Sequence, residues 1–173
     1  ALPAIDGSAL TNLPGGGKVL QVVQAVKSDR GSWSGTWQTI NGWAATITPS
    51  STSSKILVSI NVGSATPTTA RNSLVFRIMR GTTPIGLGDT YGSAPQLSFR
   101  TTKPMVDHNH SDGGFQTQVL DSPSTTSAIT YTLQGNAEGN DTFYINRNQS
   151  NGSSNQTYYG TTHSSIILME IGA

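Results

Sequence analysis

The chain has 173 residues, a formal net charge of +1 and only 11% charged residues. Ser and Thr together supply 45 residues and Gly supplies 19, a composition typical of short strands joined by polar loops and not of helical bundles or charge-rich disordered segments. The basic residues form no stripe that would bind nucleic acid, and no apolar run approaches the ~20 residues of a membrane span. Cys is absent, which excludes disulfides and thiolate metal sites.

Residues 1–17 differ in composition from the rest of the chain. They contain many small residues, the turn pair Asp6-Gly7 and Pro14, and they end in three consecutive glycines. Triple glycine is typical of a flexible joint. We predict that residues 1–17 are a connector from an upstream stalk or docking segment, and that residues 18–173 form one folded domain.

Segments with strand-like patterns begin at Lys18. KVLQVVQAV is rich in β-branched residues, and TWQTINGWAATIT resembles one strand with a kink at Asn41-Gly42. KILVSINVG and SLVFRIMR both alternate in the two-residue period of a strand. SDRGSWSG, between the first two segments, is predicted to be a loop.

The second half of the chain continues this pattern. GTTPIGLGDTYGS is predicted to hold a turn and a short edge strand, and further strands are predicted in QLSFRTTK, FQTQVLD, AITYTLQG, TFYINRN and HSSIILMEI. PMVDHNHSDGG and QSNGSSNQTYYGT are predicted to be long polar loops. About nine or ten strands separated by turn residues indicate an all-β, antiparallel β-sandwich, which we expect to be jelly-roll-like.

The last predicted strand has apolar residues on both faces. Ile166 and Leu168 can face the sandwich core, whereas the alternate side chains need a second cover. That cover is either a loop of the same chain or a symmetric partner subunit, and we predict the partner. The predicted oligomer interface contains four apolar side chains of the first and last strands: Ile167, Met169, Ile171 and Val22.

Six stretches, taken together, resemble a known group of proteins: IDGSALTNLP, GGKVLQVVQAVKSD, ITPSSTSSKILVSINV, LDSPSTTSAITYTLQ, YINR and SIILMEI. In this order they resemble the C-terminal domains of tail-fibre and related virion structural proteins of bacteriophages, especially marine ones. The resemblance implies a homotrimer of β-sandwiches at a fibre tip, with DGSALTNL continuing an upstream stalk. It implies structural roles for the turn at 121–126, Tyr131 and the strand at 144–147, and it implies no catalytic residue. Trp43 and the loop at 107–114 depart from the family pattern.

Three loops are candidates for contact with a receptor: 28–36, 107–114 and 148–162. They are rich in Ser, Gly, Asn, Tyr and Trp, which suits adaptable hydrogen bonding and flat aromatic contact. The predicted receptor is a bacterial surface glycan or outer-membrane protein. For Trp33, in the first of these loops, the alternative is packing over the sandwich end or at a subunit boundary. The candidate contact residues are Trp33, Asn109, Tyr158 and Tyr159.

The aromatic and basic residues of the strand segments have simpler interpretations. Trp37 and Trp43 lie in a strand pattern and are predicted to pack in the core. Arg77, Arg80 and Arg147 could each pair with a carboxylate across the oligomer, but a solvated, outward position is expected for at least two of them.

A His-x-His pair, His108 and His110, is the one candidate for a transition-metal site. In an extended strand both imidazoles lie on one side, so three chains around an axis would offer six nitrogens. Asp107, Asn109 and Asp112 could instead offer oxygen ligands to calcium. The simpler interpretation is a solvated polar loop, and no cofactor is expected.

The sequence offers little support for a group of catalytic residues. His163, Ser164 and Asp141 could form a hydrolytic triad, but no G-x-S-x-G stretch supports it. Glu138 and Asp141 are close in sequence, and such pairs arise by chance in a chain with nine carboxylates. We predict no catalytic residue.

The leading prediction is therefore a non-enzymatic structural protein on the exterior of a phage particle. Its trimeric head would present loops for attachment to the host cell, and its N-terminal segment would contact other virion proteins. One alternative is a capsid- or tail-bound decoration that binds no receptor. Another is a hydrolase that acts on a surface polysaccharide.

Overall fold

The computed structural model describes residues 17–69, 72–101, 113–150 and 152–172. In these residues the protein is an all-β sandwich of two antiparallel sheets, which confirms the all-β, antiparallel part of the predicted fold class. Two short 3-10 helices occur at Glu138–Asn140 and Thr157–Tyr159. No helical segment in these four ranges has the length and hydrophobicity to traverse a bilayer. The strands are β1 (Val19–Lys27), β2 (Gly31–Trp33), β3 (Gln38–Ile47), β4 (Lys55–Pro67), β5 (Leu74–Arg80), β6 (Thr83–Ile85), β7 (Phe99–Arg100), β8 (Gly113–Asp121), β9 (Ile129–Ala137), β10 (Phe143–Ile145) and β11 (Ser164–Ile171).

The first sheet has β4 at its centre. Strand β11 lies on one side of β4 and separates it from β1, and β8 pairs along the other side. Beyond the end of β11, β10 pairs with the last residues of β4, and β2 pairs with β10. The second sheet runs β3-β9-β5, and both β6 and β7 pair with the free side of β5.

The main strand pairs are nested in the sequence. Strand β1 pairs with β11, β3 with β9, β4 with β8 and β5 with β6, always antiparallel. The chain is therefore paired like one long hairpin whose tip is at residues 81–82, and this hairpin is folded across two sheets.

The core lies between the sheets and follows the predicted alternation. Each fully buried Ile, Leu or Val contributes about 1.5–3 kcal/mol relative to an exposed position. Four aromatic rings fill one part of the core, with neighbouring ring centroids 4.9–6.2 Å apart: Phe76, Phe99, Phe115 and Phe143. The buried aliphatic residues include Ile56, Val58, Ile60, Val62, Leu74, Ile78, Leu133, Ile166 and Leu168.

The kink predicted in β3 reverses the faces of that strand. The register with β9 shifts between Thr39 and Ala44, and Gly42 adopts a φ of +74°. Trp43 is 1% exposed in the core, as predicted. Trp37 lies before the shift and is half-buried, with its ring against a side chain on the outer face of the second sheet. The prediction that Trp37 packs in the core is therefore wrong.

Candidate functional site

The outer face of the first sheet carries a row of apolar side chains. Val22 is directly opposite Met169, Met169 opposite Leu57, and Leu57 opposite Leu120, so the row crosses all four long strands. Directly opposite residues share one face of a sheet, with Cβ atoms about 4.5–5.5 Å apart. Val22 is 57% exposed and Leu120 is 53% exposed, while Met169 and Leu57 are half-buried. We call these four residues the apolar row.

The neighbouring positions extend the apolar character of this face. Ile167 and Ile171 are half-buried and lie on the same face as Met169, whereas Ile166 and Leu168 are fully buried in the core. Val19, opposite Ile171, is more than half exposed. The division of β11 into a core face and an outer apolar face thus agrees with the sequence prediction. On this outer face the central side chains are half-buried, whereas Val19 and Val22 on β1 and Leu120 on β8 are more than half exposed.

Trp33 does not lie in a loop as predicted. It ends the three-residue strand β2, opposite Phe143 of β10. Its ring stacks on the Phe143 ring with centroids 5.8 Å apart and planes inclined by 24°, and Lys27 Nζ lies 5.5 Å from the Trp33 ring centroid. The ring is half-buried against the core, so most of its surface already has a protein partner; a receptor contact through Trp33 stays a prediction.

The other candidate contact residues have different positions. Tyr159 belongs to the 3-10 helix within the loop at 148–162, and its half-buried ring covers Gly152 so closely that a β-carbon there would lie 2.3 Å from the ring. That loop therefore packs on itself. The Tyr158 side chain and Asn109 lie outside the described residues, as do the metal candidates His108 and His110. Within the parts of the chain that the structure describes, no three His, Asp or Glu side chains are grouped as metal ligands.

A buried asparagine joins the two halves of the first sheet. Asn146 is fully buried with a φ of +63°, a backbone region that Asn tolerates better than most residues. Its Nδ2 donates to the carbonyls of Lys27 (2.8 Å) and Asp29 (3.2 Å), and its Oδ1 accepts from Ser164 Oγ (2.7 Å). These bonds connect the end of β1 and the start of β11 to the residue after β10. The resemblance implied a structural role for residues 144–147, but the partners of Asn146 could not be predicted, because those on β1 and after it are more than 100 residues away in the sequence.

Two buried carboxylates have structural partners. Asp121 accepts two bonds from Arg80 Nη1 (2.9 and 3.1 Å) and one from the Tyr131 hydroxyl (2.7 Å). Burial, together with the bond to Asp121, raises the pKa of Tyr131 far above its usual range. Glu170 accepts from Gln21 Nε2 and from both the amide and the hydroxyl of Ser50. Burial alone would raise the pKa of Glu170, but these bonds outweigh it and lower the pKa to about 2.

Two residues of the possible hydrolytic triad, Ser164 and Asp141, form hydrogen bonds with residues outside it. Ser164 Oγ donates to Asn146 Oδ1 and accepts from the Gly63 amide at 3.1 Å. Asp141 accepts from the Thr69 amide at 2.6 Å, and its pKa is lowered because such bonds outweigh the opposing effect of burial. No hydrogen bond connects His163, Ser164 and Asp141 in the described part of the chain.

The three strand arginines are less solvated than expected. Arg80 pairs with Asp121 in its own chain. The guanidinium of Arg77 stacks 3.8 Å from the Trp37 ring centroid, and its Nε donates to the Gln96 carbonyl at 2.9 Å. The guanidinium of Arg147 lies 3.9 Å from the Tyr144 ring centroid. All three side chains are half-buried, so they are less solvated than expected, because aromatic rings and a buried carboxylate hold them against the surface; Arg77 does lie on the outer face of the second sheet.

A cleft of about 480 Å³ opens on the outer side of the second sheet. It lies between the segment 94–97 and the ends of β5, β7 and β9. Val75 and Leu97 provide apolar walls, and Asn136, Arg100 and Glu138 provide polar ones. No sequence pattern predicts this site, because its residues belong to no motif and come together only through strand pairing and the return of the segment 94–97.

Comparisons with known proteins assign the chain to no group. No family model matches it, and no curated protein sequence matches it significantly.

Proposed function

We propose that this chain is the head domain of a bacteriophage virion fibre, and that it is a structural attachment module and not an enzyme. In this proposal three copies form a homotrimer through the outer face of the first sheet. The segment before the domain connects it to the rest of the particle. The observation that carries the proposal is the apolar row Val22-Met169-Leu57-Leu120 on a face that is open in one copy.

The apolar row favours self-association for a physical reason. Strands in a sheet lie about 4.8 Å apart, so four strands carry the row across about 14 Å of surface. Contiguous exposed apolar patches on soluble monomers are rare and mark interaction sites. Burial of one such half-exposed side chain would contribute about 1 kcal/mol, and each interface of a closed ring buries several of them.

The proposal includes a jelly-roll topology for the sandwich. The support is the nested pairing of β1 with β11, β3 with β9, β4 with β8 and β5 with β6, divided between two sheets. A two-sheet jelly roll is a pair of Greek keys with such pairing. The short strands β2 and β10 are additions that extend the first sheet at one end.

The resemblance of several sequence stretches to phage fibre domains supports the biological part of the proposal. A rigid sandwich with its first sheet turned to a three-fold axis would direct its second sheet and its end loops outwards. Loops on a rigid scaffold are common binding surfaces, and several weak sites on one particle would act together through avidity. The proposed target is a glycan or protein of the bacterial surface.

Solution mass tests the oligomer. The expected mass is three times the 18.2 kDa of one chain, measured by light scattering on a size-exclusion column. Met169→Lys, which places a charge in the centre of the apolar row, should reduce the mass to that of one chain. Ala44→Lys is the matched control, because Ala44 is exposed on the outer face of the second sheet. A wild-type protein that stays at 18.2 kDa over the micromolar range would contradict the proposed assembly.

Attachment and location need separate experiments. Purified trimer should bind bacterial cells and compete with particles for adsorption, whereas a decoration protein would not compete. Electron microscopy of native particles with an antibody against the domain should label fibre tips. Release of reducing sugar from a host polysaccharide by the trimer would contradict the non-enzymatic assignment.

A further inference from the structure

The cleft on the second sheet combines features that no structural role of its residues explains. Its volume of about 480 Å³ is within the range of small-ligand sites. It opens on the sheet opposite the apolar row, so the proposed trimer would leave it accessible. It lies wholly within one chain, so its ability to bind does not depend on the assembly.

Asn136 contributes an unsatisfied polar group to this cleft. Its Oδ1 is buried and has no hydrogen-bond donor among the described residues. Buried polar atoms without partners are rare in folded proteins and call for an explanation. Rotation about χ2 of Asn is soft, so the amide can present its oxygen or its nitrogen to a group in the cleft.

Two arginines next to the cleft have no carboxylate partner in the described residues. Arg100 lines the cleft, opposite Val75 in the sheet, and its side chain is exposed. Arg77 lies two residues after Val75 on the same face, and its Nε bond ends on the Gln96 carbonyl, between two residues of the cleft wall. Stacking on Trp37 orients this guanidinium at low entropic cost.

One acidic residue balances only part of this positive charge. Glu138 lines the cleft, and its Oε2 accepts from the Ser73 amide at 3.2 Å. Within the lining, the charges of Arg100 and Glu138 balance, and the guanidinium of Arg77, which is bonded to the Gln96 carbonyl beside the wall, adds one positive charge. The remaining walls, which include Val75, Pro95 and Leu97, are apolar.

We propose that this cleft binds a single anionic sugar residue, a hydroxyl-rich ring that bears a carboxylate. The apolar walls fit the C–H face of a pyranose ring, the Asn136 amide fits its hydroxyl groups, and the Arg100 guanidinium pairs with its carboxylate. The choice of a saccharide rests on the proposed attachment role, since acidic sugars occur in bacterial surface polysaccharides. The positive charge beside the cleft and the Asn136 Oδ1 without a hydrogen-bond partner are observations that do not depend on the attachment role.

Binding of glucuronate, glucose and inorganic phosphate to the full chain tests the proposal. Ligand-observed NMR titration suits the weak affinity expected for one sugar ring. Glucuronate should bind saturably, and glucose, which has the same ring without the carboxylate, should bind at least tenfold more weakly. Phosphate bound as tightly as glucuronate would reduce the site to a simple anion site and overturn the saccharide assignment.

Two variants locate the binding. Arg100→Gln should weaken glucuronate binding at least tenfold, and Asn136→Leu should weaken both sugars while leaving the fold intact. Arg30→Gln is the matched control, because Arg30 is also exposed but belongs to the turn after β1 in the other sheet. Absence of saturable glucuronate binding, or equal binding by Arg100→Gln and wild type, would overturn the proposal. The same titration with Met169→Lys separates the two proposals. Because the cleft lies within one chain, the monomeric variant should bind glucuronate as tightly as wild type. Glucuronate binding by a wild-type protein that proves to be monomeric would refute the trimer and leave the cleft proposal standing.

Discussion

Replacement of the buried carboxylate near the end of the chain, Glu170→Gln, should destabilise the protein strongly at neutral pH and little in acid. Glu170 is fully buried and accepts three hydrogen bonds of 2.6–2.7 Å from Gln21 and Ser50. Its pKa falls from the ordinary 4.5 to about 2 in the folded chain, which corresponds to about 3 kcal/mol of stability at pH 7. A glutamine keeps the shape but loses the charge, and its NH₂ group faces donors instead of accepting from them.

The pH dependence follows from the sign of this shift. Because the folded pKa is lower than the unfolded one, the contribution of Glu170 is complete above about pH 5 and is lost as the pH falls from 4.5 towards 2. The difference in the free energy of unfolding between wild type and Glu170→Gln should therefore be about 3 kcal/mol at pH 7 and decrease steeply below pH 4.

Urea denaturation followed by tryptophan fluorescence measures this difference at several pH values. Asp89→Asn is a suitable control, because Asp89 is an exposed carboxylate for which a change within about 0.5 kcal/mol is expected at every pH. A difference for Glu170→Gln that is the same at pH 7 and pH 3 would refute the reasoning, since it would mean that lost packing, and not lost charge, destabilises the variant.

Three further substitutions test the buried polar contacts and one close approach, each by thermal or urea denaturation. Asp121→Ala should cost about 3 kcal/mol, because it leaves the Tyr131 hydroxyl and an arginine without their acceptor; a loss below 1 kcal/mol would mean that water replaces the carboxylate. Asn146→Ala should cost about 3 kcal/mol, since two buried carbonyls and a serine hydroxyl lose their partner. Gly63→Ala should cost about 1–3 kcal/mol, because its β-carbon would lie 2.3 Å from a backbone carbonyl oxygen, whereas Gly88→Ala, with no atom within 4 Å, should be neutral.

The alternation of apolar residues was sufficient to predict most long strands and their buried faces. Every second side chain is apolar and buried from Ile56 to Val62 in β4 and from Leu74 to Ile78 in β5, and Ile166 and Leu168 continue this pattern in β11, because a two-residue period matches the pleat of a strand whose one face meets the core. The same logic predicted that Ile167, Met169 and Ile171 lie on the outer face of β11. Strand β2 was missed, since three residues are too few to show a period and only the pairing with β10 makes GSW a strand.

The candidate sites depended more on tertiary structure. Trp37 and Trp43 are six residues apart, so a regular strand would place them on one face. The register shift between them moves Trp37 to the outside, where it meets Arg77. The cleft, with Asn136 and Arg100, was not predicted at all, because its walls come from three segments, 73–75, 94–100 and 136–139, that are far apart in the sequence.

The sequence by itself determined that this chain folds as antiparallel strands with a core on one side of each sheet, and that its last strand has two apolar faces. Periodicity and turn residues are local properties, and a strand expresses them wherever it is placed. Only the tertiary structure decided which strands are neighbours, which buried carboxylates find donors, and which apolar and charged side chains share a surface. Those outcomes depend on contacts between residues far apart in the chain, and no local pattern encodes such distances.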